Sequence, residues 1–313
     1  MTRALVFPGQ GSQAVGMGRE LAGAFGAARD VFAEVDEALR QNLSRLMFEG
    51  PEAELTLTEN AQPALMAVSL AAMRVLEREA GLDLGRHVAF VAGHSLGEYS
   101  ALAAARAFTL ADAARLLKRR GQAMQRAVPV GAGAMAALLG LDLEVARAVA
   151  AEAAEGEVCA AANDNGGGQI VVSGDRAAVE RAVAVAAAKG AKRSIMLPVS
   201  APFHCRLMAP AADAMEEALA EVPIREPHVP LVANVTAAPV SDPDEIRRLL
   251  VEQVTGLVRW RESVLGMKAA GVDTLVEIGA GRVLAGLAKR IDRELAAVSV
   301  GTPAEIEAFA KTL

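Results

Sequence analysis

Short apolar runs alternate with alanine-rich helical stretches along most of this 313-residue chain. That alternation is typical of an α/β fold, in which crossover helices join the strands of a mostly parallel sheet. We expect strands at 4–7, 88–92, 230–235, 274–278 and 296–300. Helices are expected at 25–39, 62–80, 98–105 and 110–127, where the composition or the spacing of the apolar residues favours a helix.

Between residues 134 and 197 the order of elements changes. We predict strand 135–140, helix 143–155, strand 158–162, strand 169–173, helix 176–188 and strand 193–197. This βαββαβ order is the ferredoxin-like signature, and the Asn- and Gly-rich turn at 163–168 suits the connection between its two central strands. Pro129 and Pro198 break the chain near both ends. We therefore expect a small subdomain at 128–198, inserted into a larger α/β subdomain formed by 1–127 and 199–313.

Charge and composition exclude several classes of function. The chain carries 32 basic and 38 acidic residues, a formal charge of −6, and only 3% of its residues are aromatic. Neither value suits a nucleic-acid binder. Two cysteines cannot build a disulfide framework or a Cys-based zinc site, and no H-E-x-x-H or EF-hand pattern occurs, so we expect no metal. No apolar run is long enough for a membrane span and the first residues lack a signal-peptide pattern, so we expect a soluble, cytosolic protein.

The most specific motif is Gly93-His94-Ser95-Leu96-Gly97, which follows the predicted strand 88–92 and precedes a predicted helix. In such a G-x-S-x-G elbow, a sharp turn exposes the serine Oγ at the top of the sheet. The free N–H groups at the helix start can stabilise an oxyanion formed there. Chance also produces this pattern, and a purely structural turn is the alternative. The strand–turn–helix context favours Ser95 as a nucleophile.

A nucleophilic serine needs a base, and the chain has four histidines. His204 follows an irregular stretch that leads into a helix, and loops of this kind commonly carry catalytic residues. His94 is the alternative base, although neighbours in a tight turn normally point apart. His87 and His228 lie in segments with the character of solvated surface. From spacing alone, His204 and His94 both stay candidates.

Two cysteines are alternatives to consider as reactive groups. Cys205 is a rival nucleophile, but it is adjacent to His204 in sequence and cannot easily face it, so a small buried filler is the preferred interpretation. Cys159 falls within a predicted strand and is expected in the core.

Two further segments have competing interpretations. Residues 9–14 fit the loose dinucleotide pattern G-x-G-x-x-A, but no second strand ending in an acid follows, so we expect no nicotinamide site. The preferred interpretation is that backbone N–H groups of this loop stabilise a developing negative charge. Lys118-Arg119-Arg120 closes a helical stretch, where basic residues commonly complement the helix dipole. The alternative is that one guanidinium binds a substrate carboxylate.

Five motifs occur in order along the chain: Phe7-Pro8-Gly9-Gln10-Gly11-Ser12-Gln13, Gly93-His94-Ser95-Leu96-Gly97-Glu98-Tyr99-Ser100, Arg120-Gly121, Pro202-Phe203-His204 and Glu277-Ile278-Gly279. Together they resemble the malonyl-CoA:acyl carrier protein transacylase family, and the same motifs occur in the acyltransferase domains of polyketide synthases. The resemblance extends over essentially the whole chain. It implies a hydrolase-like larger subdomain with a ferredoxin-like βαββαβ insert.

The resemblance also implies roles for individual residues. The implied site residues are Ser95 as nucleophile, His204 as its base, Gln10 and Leu96 as N–H donors of the oxyanion hole, Arg120 (rather than Arg119) as the ligand of the malonyl carboxylate, Phe203 beside the acyl α-carbon, and Gln253 as the backbone carbonyl that orients His204.

The implied reaction moves a malonyl group from malonyl-CoA to the phosphopantetheine thiol of acyl carrier protein, through a malonyl-serine intermediate and without a cofactor. We expect a monomer whose partners are CoA and acyl carrier protein, with no nucleic acid and no membrane. A polyketide-type acyltransferase with another acyl-CoA and a serine thioester hydrolase are the enzyme alternatives. A catalytically silent carrier-binding module is the alternative from another class, and the presence of both Ser95 and His204 argues against it.

Overall fold

The structure is a computed structural model that describes residues 2–313. Its strands are β1 (Arg3–Phe7), β2 (Val88–Gly93), β3 (Gly133–Leu139), β4 (Cys159–Asp164), β5 (Gln169–Asp175), β6 (Arg193–Met196), β7 (Leu231–Val232), β8 (Pro239–Val240), β9 (Thr274–Ile278) and β10 (Ala296–Val300). Its α-helices are α1 (Arg19–Ala24), α2 (Gly26–Leu39), α3 (Leu43–Glu49), α4 (Glu52–Leu55), α5 (Thr58–Glu79), α6 (Leu84–His87), α7 (Gly97–Ala104), α8 (Leu110–Ala127), α9 (Leu143–Ala154), α10 (Arg176–Ala188), α11 (Ala209–Ala220), α12 (Pro243–Gln253), α13 (Trp260–Ala269), α14 (Val283–Ile291) and α15 (Pro303–Ala310).

The larger sheet has the strand order β10-β9-β1-β2-β7-β8. Its neighbours pair in parallel, except that β8 is antiparallel to β7. β1 is buried along its whole length, because helices cover both faces of the sheet, and it therefore appears in the sequence as an apolar run. Phe7 lies opposite Gly93, and Ala92 lies opposite Val232. The carboxyl ends of β1, β2 and β7 thus meet at one edge, where ligands of open parallel sheets usually bind.

Two of the elements predicted for the larger sheet and its helices differ in length from the prediction by more than one residue. α5 begins at Thr58 rather than 62, because the Leu57 carbonyl accepts hydrogen bonds from the N–H groups of Asn60 and Ala61, both at 2.8 Å. The strand expected at 230–235 is limited to Leu231–Val232. It ends early because the chain turns back at Ala233, whose carbonyl accepts a hydrogen bond from Ala237 N at 2.8 Å.

The smaller sheet is antiparallel and has the order β4-β5-β3-β6. Helices α9 and α10 share an apolar core with it, built largely from alanine and valine. This is the ferredoxin-like arrangement, so the predicted fold class is confirmed. The connection between β4 and β5 is shorter than the expected 163–168, because Asn163 and Asp164 pair with Val171 and Ile170 and extend β4. The subdomain boundaries near 128 and 198 stay a prediction.

The smaller sheet contacts the segment between α12 and α13 through its strand β4. Val258 N donates to the Ala162 carbonyl and Asp164 N donates to the Val258 carbonyl, both at 2.9 Å. The buried Asp164 also forms an ion pair with Arg261 at 2.9 Å. The end of β4 is therefore fixed against α13 and the segment that precedes it, and Asn163 lines the same cavity as Ser95.

Within residues 2–313, no helix combines the length and the apolar character needed to cross a bilayer. The expected cytosolic location stays a prediction.

Candidate active site

Ser95 lies in a strained turn between β2 and α7. Its φ of 54° is in the left-handed region, which a non-glycine residue adopts only where its surroundings stabilise it. Glycine is required on both sides. A Cβ on Gly93 would lie 1.9 Å from the Gly97 carbonyl carbon, and one on Gly97 would lie 2.2 Å from the Phe7 carbonyl oxygen. The sharp strand–turn–helix geometry expected of the elbow is therefore present, with Ser95 half-buried at the sheet edge.

The Ser95 hydroxyl faces His204. Ser95 Oγ and His204 Nε2 are 2.8 Å apart, and His204 Nδ1 lies 2.9 Å from the backbone carbonyl of Gln253. Since a carbonyl can only accept, Nδ1 carries the proton and Nε2 is free to accept from the serine. The imidazole is thus in the tautomer that a general base requires.

Burial and the nearby Arg120 guanidinium lower the pKa of His204 to about 3. The side chain is 3% exposed. His204 is therefore neutral at physiological pH and able to take a proton. Once protonated, the same surroundings make its imidazolium a strong acid toward a leaving group.

The other three histidines do not reach Ser95. His94 turns away from the serine, with Nε2 2.9 Å from Asn165 Oδ1 and its ring against Trp260. His87 accepts a hydrogen bond from Asp83 N, and His228 is exposed. The structure thus places His204, rather than its alternative His94, beside the serine.

Neither cysteine is placed to act as a nucleophile. Cys205 is 1% exposed and its Sγ donates to the Pro202 carbonyl at 3.2 Å. Burial raises the pKa of its thiol, which disfavours the reactive thiolate. Cys159 is the first residue of β4 and is partly buried.

Arg120 points from α8 into the same site, where it is 1% exposed. Its Nη1 donates to Gln62 Oε1 and its Nη2 to Gln253 Oε1, both at 2.8 Å. Nη2 also lies 3.2 Å from Ser95 Oγ. No carboxylate in the described part of the chain forms an ion pair with this guanidinium, so a buried cation with amide partners is left to attract an anion. Burial lowers the pKa of Arg120.

Arg119 has a different environment from its neighbour. Its guanidinium forms ion pairs with Glu217 and Glu221, both at 3.3 Å, and is 37% exposed. It therefore lies on the surface, away from Ser95.

Gln10 and Leu96 line the cavity beside Ser95. Gln10 follows β1 and Leu96 follows the serine, so the adjacent ends of β1 and β2 bring the two together. Within residues 2–313 neither N–H has a hydrogen-bond acceptor, which leaves both available to an oxyanion. The Gln10 side chain is held by a hydrogen bond from Nε2 to Thr58 Oγ1 at 3.1 Å.

One cavity of about 560 Å³ is lined by Gln10, Ser95, Leu96, Arg120 and His204. Phe203, which is 9% exposed, forms part of its wall close to His204. A volume of this size accommodates a small acyl group and part of a flexible thiol arm. A larger groove of about 1180 Å³ lies near Gly168 and Arg259. None of the predicted site residues lines it, so the larger groove is not the candidate active site.

Three buried polar residues at the site were not predicted from the sequence. Asn234 Oδ1 accepts from Ser95 N at 2.8 Å, and its Nδ2 donates to the Gly93 carbonyl at 2.6 Å, so Asn234 fixes the elbow. Its position just after β7, at the same sheet edge as the serine, was a usable signal. Glu98 follows the elbow glycine directly and could also have been noticed. Gln62 lies within an apolar helix, and no local signal distinguishes it.

The comparisons with known proteins extend over nearly the whole chain. The model of the acyl transferase domain family matches residues 4–302. The chain is 46% identical over 311 residues to the malonyl CoA-acyl carrier protein transacylase of Bacillus subtilis (strain 168), covering 99% of this chain and 96% of that protein. It superimposes on the crystal structure of acyl-carrier-protein-S-malonyltransferase from Bartonella henselae with a TM-score of 0.97 and 59% identity, covering 100% and 99% of the two chains. A malonyl-transacylase in complex with its type II polyketide synthase acyl carrier protein gives a TM-score of 0.96 at 42% identity, covering 100% of each chain.

Proposed function

Because the chain belongs to the acyl transferase domain family, we propose that it transfers the malonyl group of malonyl-CoA to the phosphopantetheine thiol of acyl carrier protein, through a malonyl ester on Ser95. The observation that carries this proposal is the position of Ser95 Oγ, 2.8 Å from His204 Nε2 and 3.2 Å from Arg120 Nη2. A base and an anion-binding cation thus converge on one nucleophile.

The first half-reaction forms the ester. His204 Nε2 takes the proton of Ser95 as Oγ attacks the thioester carbonyl carbon of malonyl-CoA. The N–H groups of Gln10 and Leu96 donate to the tetrahedral oxyanion. When that intermediate collapses, the C–S bond breaks and His204 returns its proton to the CoA sulfur. CoA leaves as the free thiol.

The second half-reaction uses the same groups in the opposite sense. His204 takes the proton of the carrier thiol, whose sulfur attacks the ester carbonyl of malonyl-Ser95. The oxyanion again accepts from Gln10 and Leu96, and Ser95 Oγ leaves with the proton from His204. One oxyanion hole thus serves both steps, and no cofactor takes part.

Arg120 supplies the recognition of the malonyl carboxylate. A carboxylate that leaves water for a buried pocket needs a partner of opposite charge. A guanidinium can provide two parallel hydrogen bonds together with that charge. We also propose that the protein works as a monomer, since the mechanism needs no group beyond those named here.

Replacing His204 tests the assignment of the base. We expect His204→Ala to lower kcat/KM for malonyl transfer on the order of 10²-fold or more, because His204 Nε2 is the base that accepts the Ser95 proton, whereas the neighbouring Arg120 can only donate. His94→Ala is the comparison, with a smaller expected loss because the His94 Nε2 faces Asn165. Initial rates of both variants with malonyl-CoA and holo-acyl carrier protein decide the matter. A severe loss in His94→Ala together with a mild loss in His204→Ala would contradict the assignment.

Replacing Phe203 tests the control of acyl-chain branching. Phe203 forms the cavity wall next to His204, so Phe203→Ser should make room for the methyl group of methylmalonyl-CoA. One methyl group is worth about 1–3 kcal/mol in a pocket, so we expect the preference for malonyl-CoA over methylmalonyl-CoA to fall about tenfold. The ratio of kcat/KM values for the two donors is the measurement. An unchanged ratio would remove Phe203 as a determinant.

Two enzyme alternatives are separated by the fate of the acyl group. A polyketide-type acyltransferase would prefer another acyl-CoA in a donor panel. A thioester hydrolase would release free malonate at the same rate with and without carrier protein. We expect neither outcome, since the solved relative noted above is a malonyl-transacylase in complex with an acyl carrier protein.

A further inference from the structure

Glu98 is a buried acid that the proposed reaction does not use. It is 1% exposed in the first turn of α7, three residues after Ser95. Its Oε2 accepts from Gln253 Nε2 at 2.5 Å and from Asn234 N at 3.4 Å, whereas Oε1 has no partner. A buried carboxyl group with so few partners is costly to maintain, so its position calls for an explanation.

The Gln253 side chain connects Glu98 to Arg120. Gln253 Nε2 donates one hydrogen to Glu98 and the other to the Ser95 carbonyl at 3.0 Å, while Oε1 accepts from Arg120 Nη2 at 2.8 Å. Gln253 is fully buried. Glu98 and Arg120 therefore lie on opposite ends of one amide.

This arrangement fixes the direction of the Gln253 amide. A guanidinium can only donate, so Arg120 needs the amide oxygen. With Glu98 as acceptor, the NH₂ group of Gln253 is held on the side of the amide away from Arg120. Without that acceptor, the Ser95 carbonyl and the Arg120 guanidinium would be left to oppose rotation of the amide. A rotated amide would turn its NH₂ group toward the guanidinium, where two donors would face each other.

The same arrangement leaves the guanidinium available to substrate. An acid in direct contact with Arg120 would occupy the edge that a substrate carboxylate needs. Because the Gln253 amide separates them, Glu98 can support Arg120 without competing for that edge. Burial also raises the pKa of Glu98 to about 7, and the carboxyl group can accept from Gln253 at Oε2 in either protonation state.

We propose that Glu98 is a positioning residue for donor specificity, which acts through the Gln253 amide to hold Arg120 toward the carboxylate of the acyl group. This inference rests on the proposed function, in which Arg120 binds the malonyl carboxylate. It predicts that loss of the acceptor at position 98 harms transfer of a carboxylated acyl group more than transfer of acetyl.

Two substitutions at Glu98 separate positioning from simple support of the fold. Glu98→Met keeps the side-chain length and removes the acceptor, and Glu98→Gln keeps an acceptor oxygen for Gln253. We expect Glu98→Met to lower the ratio of kcat/KM for malonyl-CoA to that for acetyl-CoA about 10- to 100-fold, the scale of a buried polar group left without its partner. In Glu98→Gln, the same ratio should stay within about threefold of the wild-type value.

Leu102→Ala is the matched control for loss of stability. Leu102 is buried in the same helix but makes no hydrogen bond to Gln253 or Arg120, so it should lower the thermal unfolding midpoint without changing the donor ratio. In Arg120→Ala, adding Glu98→Met should change the donor ratio no further, because the positioned group is absent.

The possible results assign failure to one proposal or the other. If Glu98→Met lowers kcat/KM equally for malonyl-CoA and acetyl-CoA, the positioning role is wrong. It is also wrong if Glu98→Gln lowers the ratio of the two kcat/KM values as much as Glu98→Met does. If Arg120→Ala discriminates between the donors and Glu98→Met does not, this inference alone fails. If Arg120→Ala does not discriminate, the carboxylate-binding role on which the inference rests is the part that fails.

Discussion

The Ser95→Ala variant should take no covalent label from radiolabelled malonyl-CoA, whereas we expect the wild-type protein to take one label per chain. The reason is that Ser95 Oγ is the group in contact with the His204 base and with Arg120. The fold should be unaffected, since the hydroxyl is at the cavity surface and Asn234 holds the elbow through the Ser95 backbone N–H. Denaturing electrophoresis after a brief incubation gives the label, and circular dichroism gives the fold.

The outcome that would contradict this prediction is stoichiometric label on a folded Ser95→Ala protein. Cys205 would then be the nucleophile to test, despite its burial, its raised thiol pKa and its bond to the Pro202 carbonyl. Cys205→Ala in the wild-type background is the matched control, and it should be labelled fully.

Arg120→Ala should lose malonyl transfer selectively. The guanidinium lies in the cavity with amide partners from Gln62 and Gln253 and with no carboxylate of the described chain paired to it. A malonyl carboxylate in that pocket would lose its buried partner. This loss should raise the activation free energy that corresponds to kcat/KM by roughly 2–5 kcal/mol. Acetyl-CoA has no carboxylate and should be affected far less. Steady-state kinetics with both donors supply the comparison.

Arg119→Ala is the control for this prediction. Arg119 is adjacent in sequence but forms surface ion pairs with Glu217 and Glu221, so both donors should react at nearly the wild-type rate. Equal losses for malonyl and acetyl in Arg120→Ala would show that Arg120 has only a structural role. A selective malonyl loss in Arg119→Ala would show that the wrong arginine was chosen.

The local features of the fold and site follow from sequence pattern. The elbow at Gly93–Gly97 could be predicted because its glycines and its strand–helix setting are consecutive in the chain. The βαββαβ insert could be predicted because hydrophobic periodicity and turn residues are local signals. Strand ends were less accurate, since pairing with a neighbour rather than composition extends β4 to Asp164.

The contacts between distant residues did not follow from pattern. Ser95 and His204 are 109 residues apart, and spacing alone left His94 as a candidate base. The roles of Asn234 and Glu98 depend on where β7 and α12 pack relative to the elbow, which no local window contains. The Gln253 carbonyl belongs to the backbone, so its contact with His204 carries no residue-type signal in the sequence. Family resemblance, rather than periodicity, supplied that expectation.

The most direct test of a shared serine intermediate is a chase of the isolated acyl-enzyme. Wild-type protein is labelled with radiolabelled malonyl-CoA, freed of CoA by gel filtration, and digested in part to locate the label on the peptide that carries Ser95. The remainder is mixed with holo-acyl carrier protein or with buffer alone. The mechanism predicts that the label leaves Ser95 and appears as a thioester on the carrier, and that it stays on the enzyme far longer in buffer. Label that is absent from Ser95, or that passes to water equally fast with and without carrier, would contradict it.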